Sequence, residues 1–219
     1  VNTKSLLEQL LKSGTDLLQN NSNAMSGKGG AALAGGALGL LLGSKSGRKI
    51  GGKVLTYGGL AVIGTLAYKA YQNHQQQQSR NTSSEPTKPL TELPLNEDEA
   101  RSKVILIAIV AAAKSDGHID KREQQMIDSE LAKMTSDQEL QSWLNHELNK
   151  ALDPAEVARY ALNESMASEM YLASLLTIDQ HSFMEKTYIE ELARQLKIPA
   201  SLKTELEKQA HEALASAAP

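Results

Sequence analysis

Residues 96–114 read NEDEARSKVILIAIVAAAK. From Val104 onward, Val104, Ile105, Ile107, Ala108, Ile109, Ala111 and Ala112 fall on every side of a 3.6-residue turn. A helix here is apolar nearly all round, which predicts the buried centre of a helical bundle. The sequence around it supports the same reading. Between residues 96 and 219 the prolines are Pro154, Pro199 and Pro219, and Gly117 is the one glycine. Five times a capping residue is followed three positions later by glutamate, the pattern that satisfies the first free N–H groups of a helix: Asn96 with Glu99, Asp120 with Glu123, Ser136 with Glu139, Asp153 with Glu156, and Ser182 with Glu185. Adding a helix near 164–177 and a last one near 200–215 predicts seven, over about 97–114, 121–133, 137–150, 154–162, 164–177, 183–196 and 200–215. The fold class is all-α.

Composition narrows the function. Of 219 residues 41% are hydrophobic but only 4% aromatic, so the core must be built from Leu, Ile, Ala and Met. Trp143 and Met126, Met134, Met166, Met170 and Met184 stand at helical spacing and are expected in the core or an interface. The absence of cysteine excludes disulfides, thiolate metal sites and thiol catalysis. Charge is divided: residues 1–94 hold ten basic against four acidic side chains, and residues 95–219 hold thirteen against twenty-two. The basic leading part suits an anionic surface. The acidic trailing part argues against binding nucleic acid. No nucleophile elbow, phosphate loop or HExxH motif occurs, so an enzyme is not expected.

Upstream of the bundle, residues 3–19 predict a short amphipathic helix with Leu6, Leu7, Leu10, Leu11, Leu17 and Leu18 near one face, within an N-terminal segment 1–26. Thirteen of the fifteen glycines then fall between Gly27 and Gly64. Gly35, Gly39, Gly43, Gly47 and Gly51 recur at every fourth position. Each costs a helix about 1 kcal/mol relative to alanine. In lipid the backbone must bond internally, and small residues four apart let another helix approach closely. Residues 27–71 are therefore expected to be a glycine-zipper membrane anchor that self-associates. Its apolar runs are 31–43 and 54–68, with Lys45, Arg48, Lys49 and Lys53 between them; extending the second run to Tyr71 makes a span of residues 54–71. Residues 72–95, rich in glutamine with three prolines, are expected to be a disordered linker separating anchor from domain.

Two segments share a plan in which an apolar helix end is followed by Asp, then His two residues later, then a glutamate opening the next helix. The first offers Asp116, His118, Asp120 and Glu123; the second offers Asp179, His181 and Glu185. If the two turns converge, clustered carboxylates would repel unless a cation intervened, so a divalent metal ion is the one cofactor to consider. The competing reading needs no ion: aspartates end helices, glutamates close capping boxes and Gly117 supplies a left-handed turn.

At AAAKSDGHIDKRE, residues 111–123, the sequence resembles the TerB-like family of tellurite-resistance-associated helical domains. Three stretches in the same order, GSKSGRKIGGKVLTYGGLAVIGTLAYKAY (43–71), DGHID (116–120) and IDQHSFMEKTYIEELARQLKIP (178–199), resemble the YebE-like inner-membrane family of unknown function. The resemblance implies a TerB-like bundle tethered to a bacterial inner membrane, in an envelope-stress or metal-stress setting. The residues themselves point to membrane lipid, further copies through the glycine face and an unidentified protein as partners. It also places Asp116, Glu123, Asp179 and Glu185 at acidic positions implied to bind metal, although Gln180 stands where the first unit has Gly117.

Overall fold

The computed structural model describes residues 3–8, 59–78, 95–117, 135–178 and 182–216, together with residues 125, 127, 129 and 132. Among these residues every regular element is a helix. We label α1 (Gly59–Gln78), α2 (Leu95–Ala113), α3 (Gln138–Asn149), α4 (Pro154–Ala158), α5 (Glu164–Thr177), α6 (Phe183–Gln195) and α7 (Ala200–Ser216). Residues 3–8 form a further helical piece, and residues 125, 127, 129 and 132 are helical.

The predicted central helix is central. In α2 every residue from Val104 to Ala112 is buried, and α2 packs most extensively against α5, buried from Ala167 to Thr177. Their polar residues find partners close by. Ser168 and Thr177 donate to carbonyls one turn back, at 2.8 and 2.7 Å, and Ser174 donates across to Ala108 of α2 at 3.4 Å. The α6 helix lies against α4 and α5, and α7 against α5 and α1.

Helix boundaries follow local capping. Before α6 the predicted box is complete: the Ser182 side chain accepts from Met184 N–H and from the N3 backbone, while Glu185 accepts from Ser182 N–H. Asp153 caps α4 by accepting from Ala155 N–H, but Glu156 turns instead to Lys150. Helix α4 is shorter than expected because Arg159, Tyr160 and Ala161 make tighter i→i+3 bonds that end it. The cap of α3 is Asp137 rather than Ser136, its carboxylate accepting from Leu140 N–H at 3.1 Å. Asn96 is no cap at all, since α2 already begins at Leu95. The α6 end is closed by Lys197 at φ 56°. Its N–H reaches Arg194 O, and Ile198 N–H reaches Ala193 O. These paired bonds, with Pro199 next, stop the helix.

Two further expectations change. Residues 72–78, assigned to a linker, continue α1 to Gln78. The span expected over 54–71 meets a different arrangement from residue 59 onward: α1 packs on α7 and α5, burying Ile63, Ala67, Ala70 and His74 along one stripe. Among the described residues, no helix is long and apolar enough to cross a membrane. Helices α1 and α2 both pack on α5, and the stretch 79–94 between them lies outside the described residues. The glycine series Gly35 to Gly51 lies outside the described residues.

Candidate functional site

Of the seven residues expected to hold a metal, Asp116 and Glu185 are described; His118, Asp120, Glu123, Asp179 and His181 lie outside the described residues. Asp116 is exposed in the turn that ends α2, beside Gly117 at φ 152°. Glu185 is buried and engaged in the α6 cap, as the competing reading expected. No group of three or more His, Asp or Glu residues placed to hold a metal ion occurs among the described residues.

Chemistry concentrates instead at the seam between α1 and the bundle. Arg101 of α2 and Glu169 of α5 pair at 2.5 Å, with side chains 11% and 1% exposed. Burial pushes the Glu169 carboxyl above the usual carboxylate range, and Arg101 pulls against that shift. Glu169 Oε1 is buried without a hydrogen-bond partner among the described residues, so the pair is held by a single strong contact. Gly64 of α1 lies directly over this pair. A Cβ there would meet the tip of the Arg101 guanidinium, which would have to shift to make room. Two turns further along α1, Asn73 donates to Glu205 of α7 at 2.6 Å, and Gln209 donates to the same oxygen at 2.9 Å.

A second polar focus lies where α3 ends. The Lys114 ammonium donates to the carbonyls of Glu147, at 2.9 Å, and Lys150, filling acceptors the helix leaves open. Burial lowers the Lys114 pKa, with Glu147 opposing. Lys150 is raised by Glu156, bonded at 2.5 Å, and its ammonium lies 5.8 Å from the Tyr160 ring centre. These groups line a shallow recess of about 20 Å³, with Val110 and Leu152 among its apolar walls. Lys150 is paired with Glu156 and Glu147, whereas Lys114 is held by backbone carbonyls.

The surface carries a third feature. Leu162, Phe183 and Met184 are 76%, 83% and 55% exposed. Of the methionines expected in the core or an interface, Met170 is in the core at 0% exposed and Met184 stands on the surface. Trp143 is partly buried against the core, with the Lys103 ammonium 5.5 Å from its ring centre.

Glu99, expected to close a box at Asn96, caps a different helix. Its carboxylate accepts from Thr3 N–H at 2.5 Å, from the Thr3 hydroxyl at 2.6 Å and from Lys4 N–H at 3.2 Å. Leu6 and Leu7 follow at 1% and 0% exposure. The seam residues went unnoticed in the sequence, although Glu169 carried a signal. It stands within a run of small and apolar residues, where a carboxylate needs a cationic partner.

The sequence signature of a family described as "Protein of unknown function (DUF533)" matches residues 27–210. An "Uncharacterized protein in ampR 5'region" from Yersinia enterocolitica is 32% identical over 114 residues, which cover 52% of this chain and 82% of that protein. No solved structure matches the chain.

Proposed function

The chain belongs to the DUF533 family, a family of unknown function, and on that premise we propose that it is a non-enzymatic helical module held at a membrane. Its glycine-rich stretch is the anchor, and it acts by binding a partner and by self-association. In finer terms the reading is that of a YebE-like protein with a TerB-like bundle at a bacterial inner membrane, in an envelope-stress or metal-stress setting. The observation that carries the proposal is the position of α1. The glycine-rich residues lead straight into a helix seated on the bundle, so an anchor there would hold the bundle against the lipid surface rather than at the end of a tether. The glycines at four-residue spacing support close helix contact in lipid. The exposed Phe183 and Met184, at the start of a firmly capped helix, support a protein partner. The metal-sensor reading has less behind it, because Glu185 is committed to its cap.

The test is fractionation. The full chain should stay with membranes through alkaline extraction and leave them in detergent, and a chain lacking residues 27–58 should become soluble. Cross-linking of copies should weaken in Gly39→Leu and Gly43→Leu. A full chain that fractionates with the cytosol overturns the anchor; unchanged cross-linking overturns self-association through the glycines.

A further inference from the structure

We propose that Met184 is a site of reversible oxidation, at which a hydroperoxide turns the exposed apolar tip of α6 polar without disturbing the fold beneath it. The modification itself stands on the residues around Met184; what it would control rests on the reading above, in which Phe183 and Met184 meet a protein partner.

Position comes first. Met184 is the second residue of α6, exposed together with Phe183 before it and Lys186 and Thr187 after it. Its backbone is held by other groups: Met184 N–H donates to the Ser182 hydroxyl at 3.2 Å, and the Glu185 carboxylate accepts from Ser182 N–H. The methionine side chain takes no part in that cap. Two other methionines are differently placed, since Met170 is wholly buried in α5 and Met166 is packed against the core.

Chemistry then selects the side chain. A thiol or an ammonium group must lose a proton before its lone pair reacts, but a thioether carries no such proton, so access to the sulfur sets its rate. The chain holds no cysteine to react first. With a hydroperoxide the sulfur lone pair attacks the terminal oxygen and the O–O bond breaks. The oxygen left behind takes that terminal oxygen's proton and departs as water or an alcohol. Sulfur is oxidised by two electrons to the sulfoxide, the peroxide is reduced by two, and a thiol-dependent sulfoxide reductase supplies the electrons of the return step. At Met184 the new S–O dipole meets water. At Met170 it would be buried in an apolar core, at a cost to the fold. A partner that covers Met184 must strip water from the sulfoxide, so oxidation weakens a contact made there.

The experiment treats the full chain, in peroxide-free nonionic detergent, with hydrogen peroxide, and follows Met166, Met170 and Met184 by peptide mass spectrometry, folded and in urea. Met184 should react in the folded chain within about threefold of its rate in urea, and Met170 should be slowed more than about tenfold. When Met184 is oxidised and Met170 is not, the melting temperature should match that of the untreated chain. Sulfoxide reductase with dithiothreitol should restore the thioether. Protection of Met184 equal to that of Met170 overturns the site, and so does a fall in melting temperature that Met184→Leu abolishes. The partner reading is tested apart, by the same peroxide applied to intact cells: a partner lowers the rate at Met184 relative to Met166. A Met184 that reacts as fast in cells as in the purified chain overturns the partner and leaves the oxidation site standing.

Discussion

At Gly64 the backbone of α1 crosses the Arg101 guanidinium so closely that even a methyl group must displace it. The bond to Glu169 runs through Nε, whereas a methyl at residue 64 would meet the guanidinium tip, which can yield, so Gly64→Ala should change stability by less than about 1 kcal/mol. Arg101→Met is the severe change, because it leaves Glu169 buried without its partner, which costs about 3–5 kcal/mol. Urea denaturation should show that loss, and adding Glu169→Gln should restore much of it, since the orphaned charge is then gone. Glu99 offers a test in pH. Burial alone would raise its carboxyl, but the bonds from the Thr3 side chain and from the backbones of Thr3 and Lys4 together hold it below the ordinary value. A lowered folded pKa means that its contribution is present above the ordinary carboxylate range and is lost as pH falls through it. The melting-temperature gap between the wild type and Glu99→Gln should therefore be constant above about pH 5 and close below about pH 4. Neither role was legible beforehand. Glu99 obeys a spacing rule that pointed to Asn96, and its true partner lies 96 residues away.

Among the helices, local chemistry was the readable part. The α5 boundaries agree with the expected 164–177, and α6 starts where Ser182 and Glu185 said it would, because a capping box is written within four residues. At α3 the same pattern misled by one position: Thr135 accepts from Asp137 N–H and turns the chain so that Asp137, not Ser136, meets the free N–H groups. Ser182→Ala and Asp137→Ala should each lower stability by about 1 kcal/mol, whereas Ser136→Ala should change it by less than about 0.5 kcal/mol. Thermal denaturation of the three variants side by side checks the assignment. Lys197, left-handed at φ 56°, is strained where glycine would not be. Lys197→Gly should raise stability by about 0.5–1 kcal/mol.

For the molecule as a whole, α1 marks where sequence reasoning reached its limit. The spacing of Ile63, Ala67 and Ala70 specifies a small apolar stripe, but periodicity does not say whether protein or lipid covers it. The glutamines after Tyr71 read as linker by composition, yet they complete a helix whose packing is set by its upstream face. The candidate metal residues had the same ambiguity; Glu185 takes part in the α6 cap, and His118, Asp120, Glu123, Asp179 and His181 lie outside the described residues. A fragment of residues 95–219, the unit expected from composition to be the domain, should be less stable than the chain from residue 59 by about 3 kcal/mol, from the exposure of what Ile63, Ala67 and Ala70 cover. Equilibrium unfolding of the two measures it. Because the stretch 79–94 links helices seated in one body, a single protease cut within it need not release anything. In lipid-free buffer the two pieces should elute together from a sizing column and separate only in denaturant, so that the polypeptide behaves as two strands of one particle.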